Sequence, residues 1–141
     1  PGLMLGYLGA PPVARSGWYL TADVAEMAGD GAITYHGRAD DMMNAGGVRV
    51  SPQEVEAALR RFPGIDDCAV TTVTVKAETS VIAAFYQAAE APDMAALEAH
   101  MAASLATYKR PRLYERCAAL PRTATGKINR RALRDGWKAR I

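Results

Sequence analysis

Cysteine is scarce in these 141 residues: there are two, Cys68 and Cys117. Two thiols cannot build the dense disulfide framework of a small secreted scaffold. Both fall in segments that read as strands, so reduced core thiols are expected, with a disulfide or a metal-binding pair as the alternatives. Long apolar runs are also missing. Half of the chain is hydrophobic, yet no stretch approaches the roughly 20 residues that a bilayer-crossing helix requires. The opening Pro1-Gly-Leu-Met has no basic region followed by an apolar one, so no secretory signal is read there and a cytoplasmic location is expected. With no initiator Met, the chain is expected to be a piece of something longer. Aromatic residues are few, and after Thr107 only Tyr108, Tyr114 and Trp137 accompany the basic residues. A single-strand nucleic-acid binder needs more stacking surface than that. Internal repeats and low-complexity stretches are absent too.

What is present suits one domain, or one domain plus a fragment, with a real but small core. Charge is unevenly supplied. From Thr107 onward 11 Lys/Arg stand against 2 Asp/Glu, a balance of +9, whereas before it 6 stand against 13, a balance of −7. This asymmetry suggests an anionic partner for the C-terminal third: nucleic acid, a membrane surface, a nucleotide or CoA phosphates. An ordinary solvated face is the plain alternative.

Turn chemistry and periodicity divide the chain. Gly17 to Ala25 reads as the start of a strand, Asp30-Gly31 as a hairpin turn and Ala32 to His36 as the returning strand. Asn44-Ala-Gly-Gly is a second turn, followed by Val48-Arg-Val. Ser51, Pro52 and Glu54 supply a cap, a first-turn proline and the acidic half of a capping box. Val55, Ala58, Leu59 and Phe62 then form one apolar helix face, ended by Pro63-Gly64. Cys68 to Lys76 alternates, with Ala69, Thr71, Val73 and Val75 on one face. Ser80 to Gln87 is apolar on both faces and reads as a central strand, joined to the former by a hairpin at Ala77-Glu-Thr. Pro92-Asp93 opens a second helix whose Met94, Leu97, Met101 and Leu105 are expected in the core. Pro111 to Leu120 reads as one more strand and Asn129 to Arg140 as a short basic helix. The expected fold is α+β: a small domain, 40–141, with a mainly antiparallel three-stranded sheet packed by helices, plus a β-hairpin. Residues 1–39 form no core of their own and read as trailing strands of a preceding domain.

Near the end, Leu120-Pro-Arg-Thr-Ala-Thr-Gly-Lys-Ile-Asn-Arg places Lys127 on a Thr-rich turn containing Gly126. Such a loop delivers one positive charge to an anionic ligand. The run resembles the C-terminal lysine motif of the adenylate-forming enzymes: acyl-CoA synthetases, adenylation domains of peptide synthetases, and luciferases. Upstream motifs follow in the family's order. Gly2-Leu-Met-Leu-Gly-Tyr-Leu-Gly resembles a segment near the end of the family's large N-terminal domain. Gly17-Trp-Tyr-Leu-Thr-Ala-Asp23 is similar to the segment Gly-Trp-Tyr/Phe-x-Thr-Gly-Asp, with Ala22 in place of the usual Gly. Gly37-Arg38-Ala-Asp40-Asp41 resembles the hinge motif. Met42 to Glu54 resembles the loop and helix start that follow the hinge, with Asn44 where many relatives carry Lys.

The resemblance implies roles. Asp23 would accept hydrogen bonds from both ribose hydroxyls of ATP, a task that suits the two oxygens of a carboxylate. Arg38 would contact ribose or phosphate with its fork of donors, and Tyr35 would lie near the adenine. Asp40 would be the hinge about which the C-terminal domain turns. Gly46, Gly47 and Arg49 would line the pantetheine path of CoA, the glycines permitting close backbone approach. Lys127 would bridge the substrate carboxylate and the α-phosphate region. The implied reactants are ATP, CoA and a small carboxylic acid. Mg2+ would bind largely outside these residues, and no resident metal is expected within them. The implied partner is the missing N-terminal domain of the same polypeptide, with neither nucleic acid nor a membrane span. The expectation is thus the C-terminal portion of an AMP-forming acyl- or aryl-CoA synthetase, inactive on its own. An adenylation domain that loads a carrier protein, and a basic anion- or nucleic-acid-binding module, are the alternatives.

Overall fold

The computed structural model describes residues 21–39, 41–45, 47–76 and 79–138. Two hairpins precede the main body. Strands β1 (Asp23–Met27) and β2 (Ile33–Arg38) pair antiparallel, with a register shift between Val24 and Ala25. Their turn is the one expected at Asp30-Gly31. Asp30 Oδ1 accepts the Ala32 N–H at 3.0 Å, and Gly31 takes φ +85°, which a glycine adopts without steric cost. Strands β3 (Met43–Ala45) and β4 (Val48–Val50) form the second hairpin.

Helix α1 (Pro52–Arg60) starts where the sequence places it, with Pro52 in its first turn. The expected capping box does not form. Ser51 sits at the N-cap position without a side-chain capping bond to the helix, and the Glu54 carboxylate takes Lys109 Nζ at 2.6 and 2.9 Å. A full charge from a distant segment outcompetes a neutral backbone N–H for that carboxylate. Val55, Ala58 and Leu59 are buried as the apolar periodicity requires, while Phe62 is half-buried and meets His100 edge-on, centroids 5.5 Å apart.

The main sheet has the order β5-β6-β7, from β5 (Asp67–Lys76), β6 (Thr79–Gln87) and β7 (Leu113–Arg116). The first pair is antiparallel and the second parallel. Parallel neighbours need a crossover connection, which helix α2 (Met94–Ser104) supplies. The central strand β6 is buried on both faces, as its unbroken apolar character implies. Ile82, Ala84 and Tyr86 join Cys68 and Val70 of β5 in one core with α1 and α2. Ala83 and Phe85 join Ala69 and Val73 in a second core with Leu120 and Leu133. The sheet therefore has helices on both faces, α1 and α2 on one and α3 (Arg130–Lys138) on the other.

Three expectations change in detail. Asp93 caps α2 by accepting the Ala95 N–H at 2.9 Å, and Leu97, Met101 and Leu105 are buried, but Met94 at the helix start is 38% exposed. Met94 is not part of the core that Leu97, Met101 and Leu105 join. The strand expected over 111–120 shortens to Leu113–Arg116. Arg116 turns its guanidinium onto the carbonyls of Ala88 and Ala89 at 3.1 and 2.6 Å, and the last ladder-like bond is Cys117 N–H to Tyr86 O. Both cysteines are free thiols, Cys68 fully buried and Cys117 half-buried just after β7. No helix among the described residues is long and apolar enough to cross a membrane.

Candidate functional site

Lys127 lies on the connection from β7 to α3, and that connection is closed on itself. Arg122 and Ile128 form an antiparallel bridge. Within it Lys127 O accepts the Thr123 N–H at 2.7 Å, and Thr123 O accepts the Gly126 N–H at 2.9 Å. Gly126 takes φ +81°, the left-handed conformation that this reversal demands and that a β-carbon would oppose. The hydroxyls of Thr123 and Thr125 meet at 3.0 Å, and Arg122 donates to Gly126 O at 2.8 Å. The result is a backbone fixed by its own bonds with the lysine side chain exposed. Among the described residues no ion pair or side-chain hydrogen bond engages Lys127 Nζ, so its three donors face outward.

Asp23 and Arg38 are brought together. They are register partners at the open end of the first hairpin, with Arg38 Nη1 3.7 Å from Asp23 Oδ1. Both side chains are accessible, and the chain ends of the hairpin are tied by Ala39 N–H to Ala22 O at 2.7 Å. Ala22, where the resemblance expects Gly, has φ +62°, so an alanine occupies a glycine conformation beside Asp23. Tyr35 is on the same strand as Arg38 and half-exposed. In the second hairpin Gly47 has φ +85° and donates to Asn44 Oδ1 at 2.9 Å, with Arg49 exposed on β4. Asp40 and Gly46 lie outside the described residues.

The basic C-terminal third is largely engaged with its own domain. Lys109 meets Glu54, and that hydrogen bond raises the Lys109 pKa above the usual lysine range. Arg110 donates to Leu105 O and Ala102 O, closing the end of α2. Arg122 meets Asp67 at 2.6 Å, Arg130 meets the buried Glu56 at 2.6 Å, and Arg134 donates to Thr71 Oγ1 at 2.8 Å. Among the described residues, part of the charge asymmetry is thus taken up within the fold, by three ion pairs to acidic residues of the earlier segments.

Comparison with known proteins settles the family. The family described as AMP-binding enzyme C-terminal domain matches residues 54–127, ending on Lys127 itself. This chain belongs to the AMP-binding enzyme C-terminal domain family. The mitochondrial acyl-coenzyme A synthetase ACSM4 of Homo sapiens is 38% identical over 134 residues, covering 89% of this chain and 23% of that protein. The acetyl-coenzyme A synthetase of Mycobacterium tuberculosis is 42% identical over 124 residues, covering 84% of this chain and 19% of that protein. Among solved structures, the anthranilate CoA ligase AuaEII in complex with anthranoyl-AMP superposes with a TM-score of 0.79 at 34% identity, covering 90% of this chain and 26% of that one. The chain thus spans about a quarter of the length of its relatives, and the α+β fold expected from the sequence is that of the C-terminal domain in this family.

Sequence reasoning missed Glu56, Asp67 and Arg60. Glu56 is 3% exposed, accepts the Val70 N–H at 2.8 Å and holds Arg130. A carboxylate almost never goes so deep without a charged partner. Its local signal was the Glu56–Arg60 spacing of i, i+4 beside the apolar face of α1, but the partner that decides its burial is on α3.

Proposed function

We propose that this chain is the C-terminal mobile part, residues 40–141 with the trailing strands 1–39 of the preceding domain, of an AMP-forming acyl-CoA synthetase. The parent joins a carboxylic acid to ATP, releasing pyrophosphate and leaving acyl-adenylate. The thiol of CoA then attacks the acyl carbon, giving the thioester and AMP. The observation that carries this reading is Lys127: an exposed, unengaged ammonium on a loop whose backbone is locked by its own hydrogen bonds. Attack of a carboxylate on the α-phosphate brings two anions together. A positioned cation offsets their repulsion and the charge that builds on the transferring group.

Asp23 and Arg38, accessible and side by side, offer two acceptors and a fork of donors to a nucleotide ribose and its phosphates. Tyr35 supplies a ring to the adenine. Gly47 and Arg49, with Gly46, line the path of CoA in the second step, and Asp40 is the hinge about which the domain turns Lys127 away once the adenylate has formed. Among the described residues no three His, Cys, Asp or Glu side chains gather to hold a metal ion. On this reading Mg2+ is held largely outside these residues. The proposed compartment is the cytoplasm, where reduced thiols persist and ATP and CoA are both supplied. The isolated chain, lacking the acid pocket, is inactive.

The test is ATP–pyrophosphate exchange by the full-length parent against a panel of carboxylic acids, with Lys127→Ala alongside. Acid-dependent exchange that falls by about 100- to 1,000-fold in the variant is expected. Exchange indifferent to Lys127, or absent with every acid, sinks the proposal.

A further inference from the structure

The Lys127 loop is flanked by Leu120 and Ile128, which meet the second core, and both of its ends are also anchored through charge to the same place. Before the turn, Arg122 uses one Nη to hold Gly126 O at 2.8 Å and the other to reach Asp67 Oδ2 at 2.6 Å. After the turn, Arg130 reaches Glu56 Oε1 at 2.6 Å and Val70 O at 3.3 Å. The two carboxylates are themselves joined by Arg60, whose Nη2 is 3.8 Å from Asp67 Oδ1 and 3.7 Å from Glu56 Oε2. Each carboxylate is also pinned by a backbone N–H of β5: Cys68 N–H donates to Asp67 at 2.8 Å and Val70 N–H to Glu56 at 2.8 Å. The order Arg122–Asp67–Arg60–Glu56–Arg130 is thus one continuous chain of alternating charge. It begins on the residue that holds the carbonyl preceding Lys127 and ends on the first residue of α3.

We propose that Asp67 and Glu56 are positioning residues for Lys127, fixing its loop against β5 and α1 so that the ammonium is presented at one place. The proposal rests on the role assigned to Lys127 above. Arg122 is the coupling element. Its planar fork satisfies a carboxylate and a loop carbonyl at once, which a lysine ammonium on a flexible stem does not reproduce. Catalysis by a positioned charge is steep in distance, and a displacement of about 1 Å costs on the order of 100-fold. Leu120 and Ile128 seat the base of the loop on the second core, and the two carboxylates add the polar anchors that set its orientation.

The experiment uses the full-length parent and follows the two half-reactions separately: acyl-adenylate formation in a single turnover, and thioester formation from preformed acyl-adenylate. Asp67→Asn keeps shape and removes the charge; Arg122→Lys keeps the charge and removes the fork. Both positions are partly exposed, which makes these variants better tolerated than a change at buried Glu56. Each is expected to slow adenylate formation by about 10- to 100-fold and leave the thioester step within about twofold. In the double variant with Lys127→Ala, Asp67→Asn is expected to add no further loss, because both changes remove the same contribution. Equal slowing of both half-reactions, losses that multiply with Lys127→Ala, or a full adenylation rate in Asp67→Asn overturns the clamp alone. A full rate in Lys127→Ala overturns the reading of the site as well.

Discussion

Ala22 holds a backbone conformation that belongs to glycine, φ +62°, directly before Asp23. A β-carbon in that region costs about 1–2 kcal/mol through its clash with the neighbouring carbonyl. The strain persists because the hydrogen bond from Ala39 N–H to Ala22 O and the Asp23–Arg38 pairing both require it. Ala22→Gly should remove that strain, while its looser unfolded chain gives back about 0.4–1 kcal/mol. The expected net is a stabilisation of roughly 0.5 kcal/mol, read as a small rise in the urea midpoint of the transition that includes this hairpin. A fall in that midpoint would mean that the alanine methyl makes a favourable contact. At this scale the sequence was legible for motif positions and opaque for pairings. Asp23 and Arg38 stood out one by one, and the turn at Asp30-Gly31 announced a hairpin, but the register that sets them face to face depends on the shift at Val24/Ala25. Glu54 was misread for a related reason: its partner, Lys109, is 55 residues away.

Among the elements, the three-stranded sheet carries a titration of its own. Burial on β5 pushes the Cys68 thiol up to about 12, and burial on β7 pushes the Tyr114 phenol to about 12. Both groups therefore keep their protons in the fold at a pH where the unfolded chain has lost them. Above the ordinary thiol value of 9.0, the unfolded state binds fewer protons than the native state, so stability falls as pH rises. It is full below pH about 9 and lost progressively towards pH about 12, with a slope from Cys68 alone of about 1.4 kcal/mol per pH unit. Cys68→Ala is expected to flatten the decline just above pH about 9, where an unfolded phenol with its ordinary value of 10.0 is still mostly protonated, in urea unfolding series at each pH. An unchanged slope would show that the thiol ionises in the native state. The same sheet shows what periodicity reveals and what it hides. Two-sided burial identified β6 as central, and alternation assigned the faces of β5. The strand β7 was expected, but its early end was not legible, because the arginine that ends it binds carbonyls beyond β6, and a run of strand-forming residues does not disclose that competitor.

At the scale of the whole molecule, the buried residues divide the chain more sharply than composition does. Among the described residues, both cores are built from Met43 onward, and the described side chains of the β1–β2 hairpin join neither. Its Met27 and Ile33 are instead 73% and 71% exposed. Large apolar side chains presented outward on a two-stranded ribbon are an unfinished surface, since an isolated hairpin is marginal in water. On the proposed reading, in a chain that spans about a quarter of its relatives, this is the surface that a preceding domain would cover. The proposed boundary between residues 39 and 40 then has a physical consequence. A shorter chain, residues 42–141, retains every core side chain among the described residues, the three-stranded sheet and the charge chain from Arg122 to Arg130. It should unfold cooperatively, with a thermal midpoint within a few degrees of that of the 141-residue chain, a difference corresponding to less than about 1 kcal/mol. Circular dichroism melts of the two chains side by side make the comparison. If the shorter chain loses its cooperative transition, the hairpin is part of the folding unit and the boundary lies elsewhere. If the midpoint holds, the domain carrying Lys127 folds as a body independent of the strands that carry Asp23 and Arg38, which the proposed rotation about Asp40 requires.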